Sequence, residues 1–248
     1  VDSATFKLAV FPHSKGKIQN FSLVNTRTGE IITDFETQVT VDVADPDFSG
    51  FSIYANTTHH VNSLIFIFKG KSIMQRELPF ELESKNLRSL TPGDYTFIVK
   101  AYDGRQGQGN LLESRQGAII VENNAAVTRF EVVNISSGEV LRELRDGATI
   151  NIGDPSYKAI NIRADVGDKK VSYVKFTLSN GYKHQETQAP YTLAGDSHGR
   201  YHRWKAKVGH FVLVATPYVK GSAGQSLIVS FDVIDDPASN SRSQIANA

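Results

Sequence analysis

The sequence predicts an all-β protein of two tandem antiparallel β-sandwiches, on three observations. A stretch near the start, Asn20-Phe21-Ser22-Leu23-Val24-Asn25-Thr26-Arg27-Thr28-Gly29-Glu30-Ile31, returns as Arg129-Phe130-Glu131-Val132-Val133-Asn134-Ile135-Ser136-Ser137-Gly138-Glu139-Val140, a separation of 109 residues (138 − 29). A fixed long period with matched glycines and apolar positions marks a duplicated domain. Short alternating apolar runs are separated by glycine turns along the chain, and no helical period of useful length interrupts them.

Taken in order, Phe6 to Phe11 is a candidate strand, followed by a breaker-rich linker, so residues 1–17 form a lead-in. Ile18 to Val24 is the first repeated strand, and the turn at Thr26 to Gly29 leads into Ile31-Ile32. Val39 to Val43 alternates as a half-buried strand does, and Asp45-Pro46-Asp47 breaks it. Phe51 to Ala55 and the more uniformly apolar Leu64 to Phe68 follow, then Leu78 to Leu82. Tyr95, Phe97, Val99 and Ala101 share one face of a strand. A loop over Asp103 to Asn110 leads to Ala118–Val121, expected to close the first sheet. The first sandwich is thus expected over 18–122, with Asn123 to Ala126 too short for a long flexible tether.

The second half replays this order over 127–235. Its expected strands are Phe130 to Val133, Ala148 to Ile152, Ala159 to Ala164, Val174 to Leu178, Tyr191 to Leu193, His210 to Thr216 and Ser226 to Val233. Asp45-Pro46 matches Asp154-Pro155, Pro79-Phe80 matches Pro190-Tyr191, and Gly93-Asp94-Tyr95 matches Gly209-His210-Phe211. Phe21 and Phe130 are expected to be equivalent core residues, as are Tyr95 and Phe211. Residues 236–248, rich in Ser, Asn and Ala, read as a tail or linker.

Composition narrows the function classes. The 248 residues carry 27 Lys and Arg against 26 Asp and Glu, a net charge of +1, which lacks the basic excess of a nucleic-acid binder. Cys 0 removes thiol catalysis, thiolate metal sites and disulfides. No apolar run reaches the roughly 20 residues of a membrane helix, so no membrane insertion is expected. A start at Val1 rather than Met fits a processed or excised segment, with neighbouring domains expected in the full-length protein.

The second half resembles a β-sandwich repeat of large bacterial extracellular and surface proteins. The residues that carry the likeness are Asp146 to Ile152, Ile160 to Ala164, Ala189 to Asp196, Tyr201, Trp204 and Ala215 to Tyr218. The first half departs from it: Ile53-Tyr54-Ala55 stands for Ile162-Arg163-Ala164, and no tryptophan matches Trp204. The resemblance implies immunoglobulin/fibronectin-like sandwiches, a secreted or cell-surface location, and an accessory role beside carbohydrate-related domains. It names no shared ligand.

No pattern for catalysis or a cofactor stands out. There is no nucleophile elbow, phosphate loop or His-Glu-x-x-His pair, so no enzyme is expected. Asp42, Asp45, Asp47, Asp94, Asp103, Asp165, Asp168 and Asp196 sit in turns, where carboxylates cap the local backbone. Asp45 and Asp47 fit no EF-hand spacing, and His59-His60 is an isolated pair expected to face solvent.

The densest unusual stretch is His198 to His210. If residues 202 to 208 are extended, Trp204, Ala206 and Val208 face one way and Arg203, Lys205 and Lys207 the other. One reading makes Trp204 a core plug and the cations a protected sheet edge. The other makes Arg203, Lys205 and Lys207, with Trp204 and Tyr201 or Tyr182, a binding strip for an anionic polysaccharide or an acidic surface protein. In the first half Arg88, Ser89 and Thr91 stand opposite Trp204, Lys205 and Lys207, so any such binding belongs to the second half. The favoured function is carbohydrate binding by a non-catalytic accessory module, and the alternative is a spacer or protein-interaction module positioning neighbouring domains.

Overall fold

In a computed structural model, residues 16–47 and 50–237 are described. The expected strand at Phe6 to Phe11 and most of the tail lie outside them. The chain divides into two compact units, crossing from the first to the second after Ile120, with short stretches starting at Val41 and Thr91 grouped with the second.

The first unit contains β1 (Ile18–Asn25), β2 (Ile31–Phe35), β3 (Gln38–Asp42), β4 (Phe51–Thr57), β5 (Ser63–Phe68), β6 (Lys71–Gln75) and β7 (Glu81–Leu82). A single helical turn, α1 (Ser84–Leu87), precedes β8 (Gly93–Tyr102) and β9 (Leu111–Glu122). One sheet has the order β2-β1-β4-β7 and the other β3-β9-β8-β5-β6. The strand expected at Ala118–Val121 begins earlier, at Leu111, and lies inside its sheet rather than closing it.

The second unit contains β10 (Arg129–Asn134), β11 (Val140–Leu144), β12 (Ala148–Asn151), β13 (Ile160–Asp165), β14 (Tyr173–Leu178) and β15 (Lys183–Glu186). After these come β16 (Asp196–Ser197), β17 (Arg200–Tyr201), β18 (Gly209–Val219), β19 (Ser222–Ala223) and β20 (Leu227–Ile234). Its sheets are β11-β10-β13 and β12-β20-β18-β14-β15, with β19 attached to β18. This is the strand order of the first unit. The place of β7 is taken by a single bridge between Arg163 and Thr192, so the expected strand at Tyr191 to Leu193 reduces to one pairing. Between the named strands of this unit pairing is antiparallel except where β12 runs parallel to β20.

Register repeats as well as order. Phe21 faces Phe35 and Ala55 across β1, and Phe130 faces Leu144 and Ala164 across β10. The local cause is the turn that follows. Asn25 Oδ1 accepts from the amides of Arg27 and Thr28, and Asn134 Oδ1 from those of Ser136 and Ser137. Gly29 and Gly138 close these turns at φ +75°, a left-handed conformation that glycine adopts without a Cβ penalty.

Phe21 and Phe130 are both 0% exposed. Phe21 meets Phe97 edge-on at 5.0 Å and Phe35 at 5.5 Å. Tyr95 and Phe211 hold matching positions on β8 and β18, but Tyr95 is only half-buried while Phe211 is in the core. Tyr95 lies instead 6.4 Å from Phe68, with the Lys69 ammonium over its ring. Among the described residues no helix is long and apolar enough to cross a membrane.

Gly117 on β9 lies flat against the Phe97 ring. A Cβ built there would sit 2.2 Å from Phe97 Cζ. Gly117→Ala is therefore expected to overpack the first core and lower unfolding free energy by about 1–3 kcal/mol, checked by urea denaturation.

Candidate functional site

Five of the six singled-out side chains meet at one cleft of about 370 Å³ in the second unit. Tyr182, Arg203, Trp204, Lys205 and Lys207 line it, over an apolar floor that includes Leu178 and Phe211. On one side, β14 ends at Leu178 and turns through Gly181, at φ +89°. Leu178 N donates to Tyr182 O and Tyr182 N to Asn180 Oδ1. The Tyr182 hydroxyl donates to Leu193 O at 3.2 Å, which pins the ring although 41% of the residue is exposed. Burial pushes the Tyr182 phenol up, so the hydroxyl keeps the proton it donates.

The other wall differs from the sequence expectation. Residues 202–207 form no strand. Trp204 N donates to Ile160 O at 2.9 Å, and Ala206 N then folds back to Trp204 O at 3.0 Å. Trp204 and Ala206 turn inward and Arg203, Lys205 and Lys207 outward, as alternation predicts, but Val208 departs from it and is 63% exposed. With no strand there, the cations are not the protected edge of a sheet.

Trp204 is 7% exposed, and its ring meets Phe211 and Phe231 edge-on, each at 6.0 Å. It plugs the core and only its margin reaches the cleft. In the first unit α1 packs against β4, the counterpart of β13, and contributes the buried Leu87 there, with Leu90 buried just beyond it. That substitution of aliphatic for indole was not visible in the aligned sequence.

Arg203, Lys205 and Lys207 are exposed, and among the described residues none forms an ion pair. Elsewhere in this unit Arg129, Arg145 and Arg163 each hold a carboxylate. Tyr201 stands apart from the cleft. It pairs with Asp196 in the β16–β17 hairpin, and its hydroxyl accepts from Arg163 Nη1 at 3.2 Å.

Two arrangements escaped sequence reasoning because they form only across strands. Tyr173 and Tyr218 are opposite on β14 and β18 and stack at 4.7 Å, with Lys175 Nζ over both rings. This is a cross-strand pair that covers sheet surface. His210 Nδ1 lies 2.9 Å from Asp232 Oδ1, and Ser230 Oγ lies 3.2 Å from His210 Nε2. The contact order is that of a hydrolytic triad. Yet His210 and Asp232 are exposed on a sheet face, and Ser230 N is already donating to Asp146 Oδ1. It therefore has no free amide beside the hydroxyl to hold an oxyanion, and the trio is a surface ladder.

The turn carboxylates serve the backbone: Asp45 Oδ1 accepts from Asp47 N, and Asp165 Oδ1 from Gly167 N. Among the described residues no group of three or more metal-ligating side chains gathers.

No family model matches the chain, and no curated protein matches it in sequence. Solved structures do. By strand order each unit is an immunoglobulin/fibronectin-like sandwich. The chain is similar to the fibronectin(III)-like modules of Clostridium thermocellum CbhA at 16% identity, over 80% of this chain and 90% of that chain, with TM-score 0.26. It is similar to a 1.5-MDa bacterial ice-binding adhesin at 15% identity, over 89% of this chain and 64% of that one, with TM-score 0.31. Bacteroides ovatus SGBP-B, solved in complex with a mixed-linkage heptasaccharide, is 12% identical over 78% of this chain and 42% of that chain, with TM-score 0.26. At these scores strand order and register, not the likenesses, are the ground for the fold.

Trp204→Ala is expected to lower unfolding free energy by about 3–5 kcal/mol, as large-to-small aromatic changes in a core do. Urea unfolding measures it, and Trp204→Phe should recover most of the loss.

Proposed function

We propose that this chain is a non-catalytic accessory module of an extracellular protein and that its second unit binds anionic polysaccharide. The single observation behind the ligand class is the cleft whose rim carries Arg203, Lys205 and Lys207 without a carboxylate partner among the described residues. Free cations at a concave surface attract uronate or sulfate groups, while Tyr182 offers a ring face to sugar C–H groups. Exposed pairings contribute roughly 0.2–1 kcal/mol each and weaken with salt. Affinity is therefore modest and multivalent in character. The accessory role and extracellular location rest on the sequence resemblance of the second half to bacterial surface repeats.

A spacer or protein-interaction role is the second reading. It is favoured by Trp204, which the core uses rather than a ligand face.

The sequence holds one tryptophan, beside the cleft, so its fluorescence reports binding directly. Alginate and heparin titrated into the whole chain should shift that emission, less at moderate than at low salt. Changing Arg203, Lys205 and Lys207 together to Ala should weaken binding roughly tenfold, from about 0.5 kcal/mol per lost exposed pairing. Binding indifferent to the triple change, or none to either polymer, would leave the spacer reading.

A further inference from the structure

The shared register lets the outward faces of the two small sheets be compared position by position. In the second unit Arg129 pairs with Asp165 and Glu131 with Arg163 across β10 and β13. These four close on themselves. Arg129 Nη2 lies 2.6 Å from Asp165 Oδ2, Arg129 Nε 3.0 Å from Glu131 Oε1, and Arg163 Nη2 2.6 Å from Glu131 Oε2. In the first unit the same four positions are Asn20, Asn56, Ser22 and Tyr54, all uncharged.

Hydrogen-bond polarity fixes what this uncharged face presents. Asp34 accepts from Ser22 Oγ at 2.5 Å, which uses the one hydroxyl hydrogen. Ser22 Oγ can then only accept from Asn56, at 2.6 Å, so the Asn56 amide must turn its Nδ2 inward. The second hydrogen of that Nδ2 goes to Asn20 Oδ1 at 2.8 Å. The chain Asp34–Ser22–Asn56–Asn20 therefore leaves Asn56 Oδ1 as an open acceptor beside Asn20 Nδ2 as an open donor.

These two amides and Tyr54 line a groove of about 430 Å³, with Thr57, Leu78 and Pro79 along it. Among the described residues no charged side chain lines it. Leu78 is 75% exposed, an apolar rim without an explanation in the core. Ala55 N already donates to Phe80 O, and β4 is paired on both sides. Towards β7 the β4 backbone is thus taken at Ile53, Tyr54 and Ala55, and a ligand there meets side chains.

We propose that this face of the first unit is a binding site for a neutral saccharide. Asn20 Nδ2 and Asn56 Oδ1 meet two adjacent hydroxyls of one ring, each hydroxyl being both donor and acceptor. Leu78, Pro79 and the Tyr54 ring meet the C–H face. Burial, with the Glu81 carboxylate nearby, pushes the Tyr54 phenol up, so its hydroxyl is a donor at neutral pH. The uncharged lining separates this site from the cationic cleft of the second unit, and it stands whether or not that cleft binds.

The test uses the whole chain and the side-chain amide resonances of Asn20 and Asn56, with cellohexaose and xylohexaose as probes. Saturable shifts at these two residues are expected, unchanged by salt and by the triple change of Arg203, Lys205 and Lys207 to Ala. Asn20→Ala and Tyr54→Ala, each on an outward face, should weaken the response about tenfold or more. Absence of saturable shifts with both probes would overturn the site, as would full affinity in both variants. Shifts confined to the second unit would overturn it too, and shifts produced by an anionic polymer alone would transfer binding to the cationic cleft.

Discussion

Everything in either sandwich depends on the register in which its first strand meets its neighbours. A slip of one residue sends every side chain of a strand to the opposite face. In the first unit that would expose Phe21, fully buried in the observed register, and lose about 3–5 kcal/mol of aromatic burial. In the second it would also turn Arg129 and Glu131 inward, away from their partners, leaving charges without compensation in the core. These penalties rival the whole stability of a small domain, so neither unit has a second register to visit. The Asn-capped glycine turns after β1 and β10 set the same alignment locally.

With the inward faces fixed, the outward faces are free to differ. The second unit spends its outer positions on ion pairs that satisfy one another, and Tyr201 joins them through Arg163. The first unit places amides and hydroxyls at the same positions and leaves an oriented donor and acceptor uncovered. Conversely, the cationic cleft lies in the second unit. There the indole of Trp204 fills the core beside Phe211 and Phe231, and the turn around it carries three cations outward. Two units of one architecture thus offer two chemically distinct surfaces.

The duplication, the all-β class and the burial of Phe21 and Phe130 were legible because each depends on local pattern and a fixed period. Five residues of the cleft were legible as an unusual composition, but their geometry was not. Alternation predicted Val208 inward, but it is exposed just before β18 begins. Tyr201 looked like a neighbour of the cleft because it is close in sequence, yet its hairpin turns it towards Arg163. Tyr95 shares the spacing of a core strand but sits at the end where its ring leans on Phe68. The Asn20–Asn56 pair, the stacked Tyr173 and Tyr218, and the His210–Asp232–Ser230 ladder join residues far apart in the chain. No one-dimensional pattern marks such pairs.

The most direct test of this account is a cross-strand nuclear Overhauser spectrum of the whole chain. The shared register predicts backbone contacts between Phe21 and Ala55 and between Phe130 and Ala164, the same pairing in both units. Contacts displaced by one residue in either unit would contradict it, since the amide pair of the first face and the ion-pair ladder of the second would then both be on the wrong side of the sheet.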